Sequence, residues 1–145
     1  MQETIASKRR RVLIVEEEGI TLIYLSRVVT LGVGYDVVGV ASNGIGAIAE
    51  ARRLQPDFIL MDYQMAGMNG IEAAKHILAE QSIPIILLTV HSEPEFVEAA
   101  EKAGICGYLV KPLDSSTILP AIKRCFDTFD SSDQGEYLSR LDRVA

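Results

Sequence analysis

The chain has 145 residues, 48% hydrophobic and 23% charged, which is the balance of one globular domain and excludes a disordered or fibrous chain. Its 14 basic and 20 acidic residues leave a net charge of −6, which argues against nucleic acid as the main partner, because phosphate backbones call for a basic footprint. No run approaches the roughly 20 apolar residues of a membrane span, and Val12–Val15 after the basic Lys8–Arg11 is shorter than a signal-peptide core of about 7–15 residues.

Two cysteines, Cys106 and Cys125, are too few for a disulfide framework. The expectation is a cytoplasmic protein with free buried thiols and no membrane association. Lys8–Arg11 reads as a solvated flank, residues 1–10.

Val12–Val15 is a short β-branched run and predicts a buried strand. Ile20, Ile23, Tyr24, Arg27 and Val28 fall mostly at helical spacing over 19–31, and Gly32 and Gly34 end that helix. Tyr35–Val40 predicts a second strand. Ser42-Asn43 offers a cap for a helix over 45–54, which stops before Pro56. Phe58–Met61 is a third strand, and a helix over 70–80 follows Asn69-Gly70. Ile83–Val90 is the fourth strand, with Pro84 near its start where a missing donor is tolerated. Ser92-Glu93-Pro94-Glu95 reads as a capping box opening a helix to about residue 103, and Gly104 stops it. Cys106–Val110 is the fifth strand and 115–127 the fifth helix. These elements define one domain over residues 11–127. In the remaining residues, 128–145, the polar stretch Asp127–Gly135 reads as a linker. Tyr137, Leu141 and Val144 then fall on one helical face, which reads as a short terminal helix or tail.

Five strand–helix repeats whose strands are apolar throughout predict an α/β fold, a parallel sheet with helices on both faces. Ligands of such sheets sit beyond the carboxyl ends of the strands. The first strand runs into Glu16-Glu17-Glu18, the third into Asp62, the fourth into Thr89 and the fifth into Lys111-Pro112. Carboxylates grouped at one edge suit a hard cation such as Mg²⁺. A hydroxyl and an ammonium beside them suit phosphate oxygens. Asp62 there is placed as the nucleophile of an aspartyl-phosphate reaction.

These segments resemble the response-regulator receiver domain of two-component signalling, of the stand-alone chemotaxis-receiver kind. The matching pieces are Val12–Glu18, Leu60–Met65 with Gly67–Gly70, Pro84–Thr89 and Gly107–Pro112. The resemblance covers roughly residues 11–127. It implies a flavodoxin-like, doubly wound five-stranded sheet in the order 2-1-3-4-5. It implies Asp62 as the phosphoacceptor, with Mg²⁺ (or Mn²⁺) held by Glu16, Glu17, Asp62 and the carbonyl of Gln64. Thr89 resembles the switch hydroxyl, Lys111 the lysine that pairs with the phosphoryl group, and Tyr108 the aromatic that turns inward or outward. The implied partners are a sensor histidine kinase or phosphotransfer protein, and a second copy through the face of the fourth helix, fifth strand and fifth helix. The implied role is a signalling phosphoacceptor, not an enzyme that turns over a separate substrate.

The sequence departs from the family at four places. Glu17 stands where aspartate is usual, Ala66 where proline is usual, and Val90 where a small residue is usual. His91 follows, at a position that affects phosphoryl lifetime in the family. Three rival readings exist. Gly44-Ile45-Gly46-Ala47-Ile48-Ala49 matches the dinucleotide fingerprint, but it follows the second strand with three residues intervening. A phosphatase with an aspartate nucleophile carries a second aspartate two positions on, where this chain has Gln64. A receiver-like interaction module that is never phosphorylated is the third.

Overall fold

A computed structural model describes residues 9–144, with side chains through residue 130. The flank through Lys8 and the side chains of Tyr137, Leu141 and Val144 lie outside the described residues. The strands are β1 (Arg10–Val15), β2 (Tyr35–Ala41), β3 (Phe58–Asp62), β4 (Ile85–Thr89) and β5 (Gly107–Val110). The helices are α1 (Gly19–Leu31), α2 (Gly44–Leu54), α3 (Gly70–Leu78), α4 (Pro94–Lys102) and α5 (Ser115–Val144). The strands form one parallel sheet in the order β2-β1-β3-β4-β5.

Alternate strand residues point to opposite faces. Val12, Ile14, Phe58, Leu60, Ile86 and Leu88 pack with Leu25 and Val29 of α1 and Ile118, Ile122 and Phe126 of α5. Their neighbours Leu13, Val15, Ile59, Met61, Ile85 and Leu87 pack with Ala47 and Ala51 of α2, Ala73, Ala74 and Ile77 of α3, and Ala100 of α4. Both faces are therefore apolar, which is why the strands read as unbroken hydrophobic runs.

The capping box stands on a different helix from the one the sequence suggested. The Ser92–Glu95 capping box does not form: Glu93 is the cap of α4, its side chain makes no capping bond, and Pro94 opens the helix. The residue before a proline is driven out of the helical region, and Glu93 is extended (φ −64°, ψ 146°). A helix therefore cannot begin at Ser92. The reciprocal box stands instead on α3, where Asn69 Oδ1 accepts from the Glu72 N–H (2.9 Å) and Glu72 Oε1 accepts from the Asn69 N–H (3.0 Å).

The stretch read as a linker, Asp127–Gly135, is helical, because α5 runs through it to Val144. An established helix extends without a second nucleation cost, and no proline follows Pro120 to stop it. Arg10 anchors the helix at the amino edge of the sheet. Its guanidinium lies 3.9 Å from the Phe126 ring centre and 3.6 Å from Asp130 Oδ2.

Candidate functional site

Parallel strands deliver their carboxyl ends to one edge. Asp62 closes β3 and Thr89 closes β4, while Glu16 and Lys111 stand one residue beyond β1 and β5. Backbone bonds continue past the strands and hold these two in line, from the Glu16 N–H to the Ala41 carbonyl (2.9 Å) and from the Lys111 N–H to the Thr89 carbonyl (2.7 Å). Glu16, Asp62 and Thr89 are the buried polar residues among those described.

Lys111 Nζ lies 3.0 Å from Asp62 Oδ1 and 3.9 Å from Glu16 Oε1. One ammonium thus stands between two buried carboxylates. Glu16 Oε2 accepts from the Glu18 N–H at 3.0 Å, whereas Glu16 Oε1 is buried with no hydrogen-bond donor. Burial pushes the Glu16 carboxyl above the usual range, and the Asp62 charge adds to this. The Glu18 N–H and Lys111 oppose it.

The other residues singled out from the sequence are more open. Glu17 is exposed, and its Oε1 accepts from the Ala66 N–H at 3.3 Å in the loop after Asp62. Gln64 is exposed in the same loop. Among the described residues, no three acidic, histidine or cysteine side chains converge as a complete metal cage. The Thr89 hydroxyl oxygen accepts from the His91 N–H at 2.9 Å. Tyr108 is 38% exposed and Val90 62% exposed.

Sequence reasoning missed two features. Gly70, the first residue of α3, abuts the end of β3. Its place after Asn69 signalled a helix start but not this close approach. Tyr63, His91 and Phe96 form an aromatic cluster beside Asp62. Tyr63 meets His91 and Phe96 edge-on at 5.6 and 4.8 Å between ring centres, and His91 Nδ1 lies 3.3 Å from Glu93 Oε2. Tyr63 follows β3, whereas His91 and Phe96 lie before and in the first turn of α4, so no local pattern in the sequence joins Tyr63 to the other two.

The dinucleotide fingerprint serves packing. A Cβ on Gly44 would stand 2.9 Å from the Met68 side chain, and Asn43 Oδ1 caps α2 by accepting from the Gly46 N–H at 2.7 Å. The strand before it, β2, is an edge strand.

A doubly wound sheet in this order, with a buried aspartate and hydroxyl and a half-buried lysine at its carboxyl edge, defines the signalling receiver class. The chain matches the response regulator receiver domain family over residues 12–123 and belongs to it. It is 38% identical over 124 residues to the transcriptional regulatory protein PdtaR of Mycobacterium tuberculosis, a match covering 86% of this chain and 60% of PdtaR. It is 34% identical over 116 residues to the chemotaxis protein CheY of Thermotoga maritima, covering 79% of this chain and 96% of CheY. The chain thus spans less than two thirds of PdtaR and nearly all of CheY.

Among solved structures, the signal receiver domain of a modulated diguanylate cyclase from Desulfovibrio desulfuricans superposes with a TM-score of 0.76 at 31% identity, covering 86% of this chain and 99% of that one. The response regulator domain of Thermotoga maritima CheB gives 0.75 at 26%, covering 85% and 98%. The chain is therefore a receiver domain of two-component signalling, a family that acts with histidine kinases or phosphotransfer proteins and generally binds Mg²⁺. No helix among the described residues is long and apolar enough to cross a membrane.

Proposed function

We propose that Asp62 accepts a phosphoryl group from a phosphohistidine of a sensor kinase or phosphotransfer protein, and that the modification switches a partner-binding face of a cytoplasmic protein. The observation that carries this reading is the Lys111 ammonium 3.0 Å from Asp62 Oδ1 at the carboxyl edge of the sheet. Phosphoryl transfer needs positioning and charge neutralisation more than covalent help. An Asp62 carboxylate oxygen attacks phosphorus, the phosphorus–nitrogen bond breaks, and the departing imidazole retains the bonding pair and takes up a proton. Lys111 already pairs with Asp62 and follows the new charge onto the phosphoryl oxygens. The Thr89 oxygen is held by the His91 N–H, which leaves the hydroxyl proton to donate to a phosphoryl oxygen. That bond draws Thr89 toward Asp62. Tyr108, on the neighbouring strand, then turns inward and reshapes the surface of α4, β5 and α5, where a partner or a second copy docks.

Mg²⁺ fits the residues present. The buried Glu16 Oε1 accepts no hydrogen bond, with the Lys111 ammonium 3.9 Å away, and hard cations take oxygen ligands. Glu16, Asp62 and the Gln64 carbonyl would hold the ion, and Glu17 would join by releasing the Ala66 N–H. Mn²⁺ is an acceptable substitute. When bound, the ion neutralises carboxylate and phosphoryl charge. The chain on this reading is a phosphoacceptor that promotes its own labelling and hydrolysis, not an enzyme for a separate substrate.

Intact mass after incubation with acetyl phosphate and Mg²⁺ tests the reading. One added phosphoryl group, removed by hydroxylamine as an acyl phosphate would be, is expected. No gain in mass in the presence of Mg²⁺ would overturn it.

A further inference from the structure

The chain's two cysteines come together at the amino end of β5, away from the carboxyl edge that holds Asp62. Cys106 immediately precedes β5, where its N–H is bonded to the Ile85 carbonyl at 2.9 Å. Cys125 is buried in α5. Cys106 Sγ lies 3.4 Å from the Cys125 carbonyl oxygen. A Cβ placed on Gly107 would stand 3.2 Å from Cys125 Sγ, so the Cys125 thiol sits directly over the start of the strand. Both cysteines, with Arg124, line a cavity of about 230 Å³.

We propose that Cys106 and Cys125 are an oxidation site, forming an intramolecular disulfide on exposure to a hydroperoxide such as hydrogen peroxide. With Cys106 Sγ against the Cys125 carbonyl and both thiols lining one cavity, side-chain rotation is the motion that would bring the sulfurs to the bond length of about 2.05 Å. The neighbouring Cys125 side chain lowers the Cys106 thiol below the usual range, and the Cys106 side chain together with burial pushes the Cys125 thiol up. The half-buried Cys106 is therefore the thiol that reacts first. Its thiolate sulfur attacks the peroxide oxygen, the oxygen–oxygen bond breaks, and water leaves once the released hydroxide takes a proton. The product is a sulfenic acid. Cys125 sulfur then attacks the Cys106 sulfur and hydroxide departs with the Cys125 proton as a second water. In sum, two thiols and one hydrogen peroxide give one disulfide and two waters.

The bond would tie the start of β5 to α5 and enclose Tyr108 and Lys111 in one covalent loop. Any effect on the phosphorylation switch rests on the function proposed above, whereas the bond itself does not. Cytosolic disulfides of this kind are transient and redox-sensing.

The test is to treat the native chain with hydrogen peroxide, block remaining thiols with N-ethylmaleimide, and measure intact and peptide masses. The expected product is a monomer lighter by two hydrogen atoms. It carries no maleimide, yields a cross-linked Cys106–Cys125 peptide, and returns to the starting mass with dithiothreitol. Cys106→Ser should give no such species. Wild-type chain that takes maleimide on both cysteines after treatment, or gains oxygen atoms without a cross-link, would overturn the proposal. Phosphoryl labelling is not read in this experiment, so its outcome is independent of the Asp62 reading.

Discussion

The Cα of Gly70 packs against the backbone of Asp62 so closely that a Cβ at position 70 would stand 2.6 Å from the Asp62 carbonyl oxygen and 2.9 Å from Tyr63 Cα. Neither atom is the tip of a flexible side chain, so Gly70→Ala must move the first turn of α3 or the end of β3. Overpacking of this kind costs about 1–3 kcal/mol, and a shift of about 1 Å at the acceptor can cost on the order of 10²-fold in rate. Urea unfolding and initial rates of acetyl phosphate labelling should both fall. Unchanged values would mean that the two segments are not in contact.

Lys111→Ala leaves Glu16 and Asp62 buried without their shared cation. Breaking a fully buried pair costs about 3–5 kcal/mol. Lys111 is 29% exposed in its side chain, so we expect about 2 kcal/mol, reduced by solvent screening. Added Mg²⁺ should recover part of the loss by binding the folded state. Labelling of Asp62 should persist at a lower rate, while the NMR shifts that labelling induces around Tyr108 should shrink. Equal shift changes in the variant and the wild type would contradict the role given to Lys111.

Much of this arrangement was legible from sequence because each strand is an apolar run that stops at a polar residue. Val15 gives way to Glu16, Met61 to Asp62 and Val110 to Lys111, so the runs marked both the strands and the edge they share. Leu88 to Thr89 was less sharp, since Val90 extends the apolar run by one residue. What stayed hidden depends on tertiary contact or on competing local signals. The carboxylate of Glu17 turns to the Ala66 N–H because that loop folds back beside it, which no spacing in Glu16-Glu17-Glu18 reveals. The box at Ser92 was a motif match overruled by Pro94, whereas Asn69 and Glu72 formed the same device without being read as one. The extension of α5 carries no apolar stripe through Asp127–Gly135, and a polar helix supported from its amino-terminal half looks like a linker.

Glu17→Asp should tighten Mg²⁺ binding several-fold and raise the labelling rate. Glutamate is longer than aspartate by about 1.5 Å, one carbon–carbon bond, and Mg²⁺ tolerates little departure from octahedral geometry at about 2.0–2.1 Å. The present side chain spends its carboxylate on the Ala66 N–H. The shorter side chain would release that bond and stay closer to Glu16. Calorimetric titration with Mg²⁺ measures the change, and equal or weaker affinity would show a site adapted to glutamate.

Asp114 precedes α5 and accepts from the Ser116 N–H at 2.9 Å and the Ser116 hydroxyl at 2.8 Å. Those bonds hold its carboxyl below the usual value of 3.8. A lowered folded-state pKa means that the unfolded chain binds the proton more readily, so stability rises with pH across that window. The contribution is complete above about pH 4 and is lost as pH falls through the folded-state value. Asp114→Ala should therefore lower Tm at neutral pH, with a difference that narrows in acid. A difference independent of pH would assign the loss to something other than the carboxylate.

The central claim is that Asp62 carries the phosphoryl group, and the most direct measurement is peptide mapping of chain labelled by acetyl phosphate and Mg²⁺, with borohydride reduction of the acyl phosphate to mark the site. The account predicts the mark on Asp62 alone, and no phosphoryl gain in a folded Asp62→Asn variant, where an uncharged amide stands in for the nucleophile. A mark on another residue, or a variant that still gains a phosphoryl group on the same peptide, would contradict it.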